Sequence, residues 1–298
     1  MPDTLSLVRQ LILNADDFGL TPGVNRAIVE LVASGCLTSA TLMAAAPATE
    51  EAIQLARCTQ GLGVGCHIVL VDGVSCLDPA LQHRCPWITP GPDGQGMLPA
   101  TPGQLLRALF TSGMGRSQRE ELLEAEAYAQ ILRLQRAGVA LTHVDTHKHL
   151  HQFPAILRPV LRAARRAGIH RIRNPFEPAW SRRLTPSVPI ARQIPFRILQ
   201  LFRRSFLGTV ARHGFVTTSG AIAVLATGAL DRALVSQFLS AIPDGCWEMV
   251  THPGYNDAAL EQIRTRLRSS RATEIHALQV VSTASSLHRV SFAAIPEG

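Results

Sequence analysis

LILNADDFGLTPGVNRAIVELVASG, residues 11–35, decides the fold. Its first five residues form a short apolar run that ends on two carboxylates, Asp16 and Asp17. Thr21 and Pro22 then mark a helix start. A threonine hydroxyl there accepts from a backbone N–H that would otherwise have no partner, and proline at the first helical position forfeits no hydrogen bond. The helix is predicted to run to about Ser34, where Gly35 stops it. A strand that leads through an acidic turn into a helix is one β–α unit.

The unit recurs along the chain. TSATLMAA (38–45), GVGCHIVLV (63–71), VALTHV (139–144), IHRIR (169–173), GAIAVLA (220–226) and WEMVTH (247–252) read as strands, with a short last strand near 290–294. Helices are predicted over 49–57, 117–137, 154–167, 230–241 and 257–269. Ser117 and Glu120 have capping-box spacing, Gly138 suits a helix stop, and Leu157, Leu161 and Ala164 share one face. Residues 72–103 are rich in Pro and Gly, and a loop that long reads as a substrate wall or lid. Repeated β–α units without a composition break predict one α/β domain over 1–298, built on a parallel sheet that is open or closed into a barrel.

Composition narrows the function. The 298 residues are 46% hydrophobic, which excludes disorder, and no stretch reaches the roughly 20 apolar residues of a membrane span. Six scattered cysteines and an N-terminus without signal-peptide character imply reduced thiols and a cytoplasmic enzyme. The net charge is +7, but residues 158–212 hold thirteen Arg against Glu177 alone, so that window is +12 and the remainder −5. Without aromatic interleaving or a known module, such a patch does not point to nucleic acid. Lys148 is the single lysine.

Four polar clusters sit at or beside strand ends: Asp16-Asp17, His67, the run THVDTHKHLH (142–151), and THPGY (251–255). Parallel α/β folds bind ligands at the carboxyl edge of the sheet. Taken singly, Asp16-Asp17 fits a plain turn, His67 a satisfied core histidine and His252 a loop residue. Together they deliver Asp and His from four distant strands to one edge. In the run, His143, Asp145, His147, His149 and His151 alternate at period two, so as a strand they would share a face. Mixed imidazole and carboxylate suits Zn²⁺ or a similar ion.

LNADDFGLTPGVNRAI, TSATLM, GLGVGCHIVL, THVDTHKHLHQFP and MVTHPG, in this order, resemble the YdjC-like carbohydrate deacetylases from about residue 11 to 294. RIRNPFEPAW (171–180) and the Arg-rich stretch after it look most like the hopanoid biosynthesis-associated branch. The resemblance implies a distorted TIM-like (β/α) barrel of polysaccharide-deacetylase type, with an insertion at about 175–215. It implies an amide hydrolase that removes acetyl from an N-acetylated sugar with one divalent ion, Zn²⁺ or Mg²⁺. By motif, Asp17, His67 and His147 match the metal ligands, Asp16 the base and His252 the general acid. Asp145 would orient an imidazole or serve as the base instead. His149, His151, Lys148 and Arg173 would stand behind the ligands or meet the substrate. Cys66 replaces the family's usual Leu, and alternation turns it away from His67.

PFRILQLFRRSFLG (195–208) reads as a helix with Ile198, Leu199, Phe202 and Phe206 on one side and Arg197 and Arg204 on the other. A basic amphipathic helix suits a peripheral membrane contact, and an N-acetylglucosaminyl hopanoid would lie in a membrane. A soluble chitooligosaccharide is the alternative substrate, and a non-catalytic sugar-binding module the alternative class.

Overall fold

The strand that carries Asp16 and Asp17 becomes the centre of the molecule. A computed structural model describes residues 9–185, 190–283 and 287–297. In chain order the strands are β1 (Arg9–Phe18), β2 (Ser39–Leu42), β3 (Gly63–Ile68), β4 (Thr89–Pro90), β5 (Gly96–Met97), β6 (Leu141–Thr146), β7 (Gly220–Ile222), β8 (Gly245–Thr251) and β9 (His288–Arg289). β4 and β5 make a small antiparallel ribbon. The others form a parallel sheet in the order β6-β3-β2-β1-β8-β7, with β9 beside the start of β1. Parallel strands covered on both faces are apolar throughout, and Leu11 to Phe18 are all buried.

The sheet curls, and the predicted strand at 169–173 spans the gap between its edges. It forms isolated parallel bridges, Val144 to Ile172 and Arg171 to Val216, rather than a full ladder. Val216 leads within a few residues into β7. Helices cover the outside, giving the distorted α/β barrel that the sequence implied. Helices Arg116–Arg136 and Pro154–Arg166 bury Leu122, Ile131 and Leu134 with Leu157, Leu161 and Ala164. At the surface Arg158 and Arg162 bond Glu120.

β1 outruns its expected end at Ala15. Its register against β2 shifts between Ala15 and Phe18, and Asp17 stands at φ 65°. Neighbours in a regular strand point to opposite faces. The irregularity cancels one alternation, so both carboxylates reach the same mouth.

Other boundaries are corrected. The helix after residue 115 starts at Arg116, and Gln118, not Glu120, reaches back to the Gly115 N–H at 3.1 Å. The capping box therefore fails at Ser117, because Glu120 is drawn into ion pairs with Arg116, Arg158 and Arg162. A helix at Pro102–Thr111, capped by Thr101 and Gln104, follows the loop and was not foreseen. The expected helix 257–269 is instead Ala258–Gln262 and then Arg268–Leu278. The chain's last predicted strand is a 3-10 turn at Phe292–Ala294, preceded by β9.

The basic insertion also differs. Residues 186–189 of it lie outside those described. Its single expected helix is two, Ile190–Gln200 and Arg203–Arg212. Pro195 is inside the first and Gly208 inside the second, which runs on until Gly214 at φ 66° turns the chain. The expected apolar side is divided: Phe206 is buried, whereas Ile198 is 54% exposed. Among the described residues, no helix is long and apolar enough to cross a membrane.

Gly65 of β3 is the tightest backbone position beside the site. A Cβ there would stand 2.5 Å from Nε2 of His143, whose ring is stacked on Phe292 at 3.7 Å and has no room to retreat. Gly65→Ala should cost about 1–3 kcal/mol as an overpacked core does. Urea unfolding measures it, and unchanged stability would contradict this packing.

Candidate metal centre and active site

Asp17 at the end of β1, His67 in β3 and His147 just after β6 converge at the barrel mouth. His67 Nε2 lies 3.6 Å from Asp17 Oδ1, His147 Nδ1 lies 3.4 Å from the same oxygen, and the two nitrogens are 3.3 Å apart. Donors about 2.1 Å from a tetrahedral ion would be separated by about 3.4 Å, so the triangle fits one. Asp17 Oδ1 is buried and receives no hydrogen bond. Its Oδ2 accepts from Arg271 Nη2 at 2.5 Å. Two imidazoles and a carboxylate are a donor set that suits a divalent ion and leaves coordination positions open.

A second group of potential ligands, Asp16, His67 and Asp145, lies behind the first. A guanidinium already fills it. Arg173 donates to Asp16 Oδ2 and Oδ1 at 2.9 and 2.6 Å and to Glu248 Oε1 at 2.8 Å, and is paired with Asp145. Asp145 Oδ1 is 2.7 Å from His67 Nδ1 and so aims Nε2 at the triangle. Asp16 also accepts from Asn14 Nδ2 at 2.9 Å and Thr41 Oγ1 at 3.0 Å.

Titration follows from this crowding. Burial by itself disfavours the Asp16 carboxylate, but Arg173, His67 and His252 outweigh it and hold the group far below its ordinary value. Burial would also depress His67, yet Asp145, Asp16 and Asp17 push it up to about 9. A pocket that holds an extra proton so firmly has a negative field, which a cation would also relieve. Burial pushes Glu248 up to about 7 even beside Arg173. Burial also raises the Cys66 thiol well above its usual value, so no thiolate competes there.

The period-two reading of the His run holds only as far as Asp145. β6 ends at Thr146, and 147–152 is a 3-10 turn in which Lys148 and His149 take φ of 56° and 53°. Left-handed backbone at a non-glycine residue costs about 1–3 kcal/mol, and such strain gathers at functional sites. The side chains therefore fan out. His147 joins the triangle. His149 is half-buried, burial lowers it to about 3, and its Nδ1 has no partner. His151 ties Thr146 Oγ1 at 2.7 Å to the Arg173 carbonyl at 3.3 Å. His143 is core. Lys148 leaves the site for Asp72.

His252, after β8, places Nε2 3.8 Å from Asp16 Oδ2. Burial lowers it to about 4, so its imidazole is neutral in the resting protein. Its backbone N–H donates to Glu274 Oε2 at 2.6 Å, and its carbonyl accepts from Arg271 Nη1 at 3.4 Å. Arg271, Glu274 and Glu248 were missed from sequence. The helix that bears the first two was expected to end at 269, and nothing marks Arg271 among its many fellow arginines.

Arg173→Met leaves three buried carboxylates without their cation. Breaking a buried pair this way should cost about 3–5 kcal/mol. Urea unfolding reads the loss, and a change below about 1 kcal/mol would contradict the cluster's role in the fold.

A family model described as "YdjC-like protein" matches residues 10–289. A protein named carbohydrate deacetylase from Brevibacillus brevis is 41% identical over 155 residues, 52% of this chain and 55% of that protein. A chitooligosaccharide deacetylase from Escherichia fergusonii is 35% identical over 161 residues, 54% of this chain and 58% of its own. The chain thus spans little more than half the length of these curated relatives. A crystal structure of an Enterococcus faecalis protein named for cellobiose-phosphate cleavage superposes with a TM-score of 0.70 at 20% identity, over 97% of this chain and 99% of that one. That likeness shows the shared fold.

Proposed function

This chain belongs to the YdjC-like protein family, and from that premise we propose that it is an N-deacetylase of N-acetylated sugars that works with one divalent metal ion. The observation that carries the reading is the triangle of Asp17, His67 and His147 with a bare carboxylate oxygen, set beside the Asp16–His252 pair. The relatives named carbohydrate and chitooligosaccharide deacetylases support it. Asp17, His67 and His147 hold the ion. When bound, it polarises the acetyl carbonyl and makes water a better nucleophile at neutral pH. Two imidazole nitrogens in the set suit Zn²⁺ better than Mg²⁺, which prefers oxygen ligands.

Asp16 takes a proton from the attacking water. His252 Nε2, neutral at rest and 3.8 Å from Asp16 Oδ2, is the group to which Asp16 passes that proton. His252 hands it to the departing nitrogen as the C–N bond breaks. One proton serves both steps, and the products are acetate and a free amine. Asp16 is favoured over Asp145 as the base because it lies beside His252, whereas Asp145 Oδ1 is turned to His67. Asp17→Ala should lose both bound metal and deacetylation of diacetylchitobiose. Metal content and product mass report the two, and wild-type turnover in that variant defeats the assignment.

The favoured substrate is an N-acetylglucosaminyl hopanoid presented at a membrane, with soluble chitooligosaccharides as the alternative. Ile194, Ile198 and Leu201 are 54, 54 and 79% exposed and follow one another at near-helical spacing. Arg197, Arg203 and Arg204 flank them, and the sequence has no Asp or Glu between Glu177 and Asp231. An exposed apolar stripe edged by arginine suits an anionic bilayer surface. The chain should sediment with phosphatidylglycerol vesicles at low salt, and Arg203→Glu with Arg204→Glu should release it. Absence of binding, or equal binding to neutral vesicles, rejects membrane contact. Full activity on diacetylchitobiose without detergent then favours the soluble sugar.

A further inference from the structure

Lys148 is the chain's one lysine, and it sits between His147 and His149 at the crest of the left-handed turn. Its Nζ donates to Asp72 Oδ2 at 2.7 Å, and both side chains are about one-third exposed, at 33 and 31%. Asp72 is itself left-handed, at φ 60°. Of the five non-glycine residues with positive φ among those described, Lys148 and Asp72 are two, joined by this bond, and His149 is a third, next to Lys148. Asp17, a fourth, is a corner of the triangle.

The two partners differ in how they are held. Asp72 belongs to a fixed post. Its N–H donates to the Pro99 carbonyl at 2.7 Å and Leu98 N–H to the Gly73 carbonyl at 3.0 Å, which closes the neck of the long loop. Just before it, Gln130 clasps Val69 through the Val69 N–H at 2.8 Å and carbonyl at 2.6 Å. Just after it, the Cys76 N–H donates to buried Glu126 at 2.9 Å. Among the described residues, the turn's base is pinned by Thr146, His151 and buried Leu150. Its crest, residues 147–149, carries the unfavourable backbone. Apart from the meeting of His147 with His67 and Asp17, the bond to Asp72 is what ties that crest to another element.

We propose that the Lys148–Asp72 ion pair is a positioning clamp that holds the turn in its left-handed form, so that His147 Nδ1 stays at the third corner of the metal triangle. The inference rests on the reading of Asp17, His67 and His147 as metal ligands. Lys148 and Asp72 do not touch substrate. They act through the imidazole next to Lys148, and they join the strand end that bears His147 to the segment that follows His67. A lysine serves because its ammonium is a compact point charge at the end of a flexible stem and meets one carboxylate oxygen without the planar fork of arginine.

Cobalt(II) titration of the full chain tests this, because the visible absorption of the ion reports ligand geometry without turnover. Lys148→Met and Asp72→Asn should each weaken Co²⁺ binding by about 3–5-fold, the scale of a part-exposed ion pair. They should alter the absorption band and lower kcat on diacetylchitobiose while KM stays put. The exchange Lys148→Asp with Asp72→Lys should restore most of the affinity. Lys148→Gly removes the cost of the left-handed backbone along with the ion pair, so it should remain folded and bind Co²⁺ more tightly than Lys148→Met. Wild-type affinity and spectrum in Lys148→Met, or a Lys148→Gly variant weaker than Lys148→Met, overturn the clamp. An exchange variant as weak as the single variants overturns the pairing. A wild-type chain that binds no Co²⁺ rejects the metal reading instead, and the clamp falls with it.

Discussion

The guanidinium of Arg173 is the interaction on which the rest of the site depends. It is fully buried and bonds carboxylates from three strands, Asp16 of β1, Asp145 of β6 and Glu248 of β8. Three such groups with no cation would repel one another and would have to take up protons. With Arg173 in place, Asp16 stays ionised and fixed, and Asp145 is aimed at His67. The residue comes from the bridging segment between the sheet's edges. The curl of the sheet and the orientation of these carboxylates are therefore one structural fact, since a flatter sheet would withdraw Arg173 from all three partners.

Two local departures from regular backbone do the remaining positioning. The first is the irregularity at Asp17, which sends consecutive carboxylates to one mouth. The second is the double left-handed turn at Lys148 and His149, which brings His147 back toward β3. Regular strands cannot do either, because their side chains alternate. Strain at these points is tolerated because firm structure surrounds them: β8 lies against β1, and Thr146 with His151 closes the turn's base.

These departures also mark how far the sequence could be read. The β–α order, the helix that begins at Thr21-Pro22, and the gathering of the Asp16-Asp17, His67, His-run and His252 clusters at one edge were legible, because caps, apolar runs and strand-end polar residues act locally; the choice of Asp17, His67 and His147 among them came from the family resemblance. The fan of the His run was not. Period two assumes a strand, and what ends the strand at Thr146 is a hydrogen bond from the His151 N–H five residues on. Arg271 and Glu274 were illegible for another reason. They lie on a helix whose sequence looks like any solvent-facing helix, and only the packing of that helix over the β8 loop turns them inward. In the insertion, the alternation of Arg with apolar residues was plain, but which face is buried depends on Phe153 meeting Phe202 and on Phe176 meeting Phe206.

Charge connects the inside to the outside. The chain's +7 belongs to its surface, where the arginines of residues 158–212 outnumber the acids. The buried centre has the opposite sign. Asp16, Asp17 and Asp145 face two guanidiniums, Arg173 and Arg271, and burial pushes Glu248 and Glu274 up to about 7. The carboxylates thus outnumber the guanidiniums. Against the effect of burial, Asp145, Asp16 and Asp17 push His67 up to about 9. A divalent cation at the Asp17, His67 and His147 triangle would offset the same excess of negative charge. The same balance explains why Asp17 Oδ1 can lie buried without a donor: it faces the one position where the surrounding charges call for a cation.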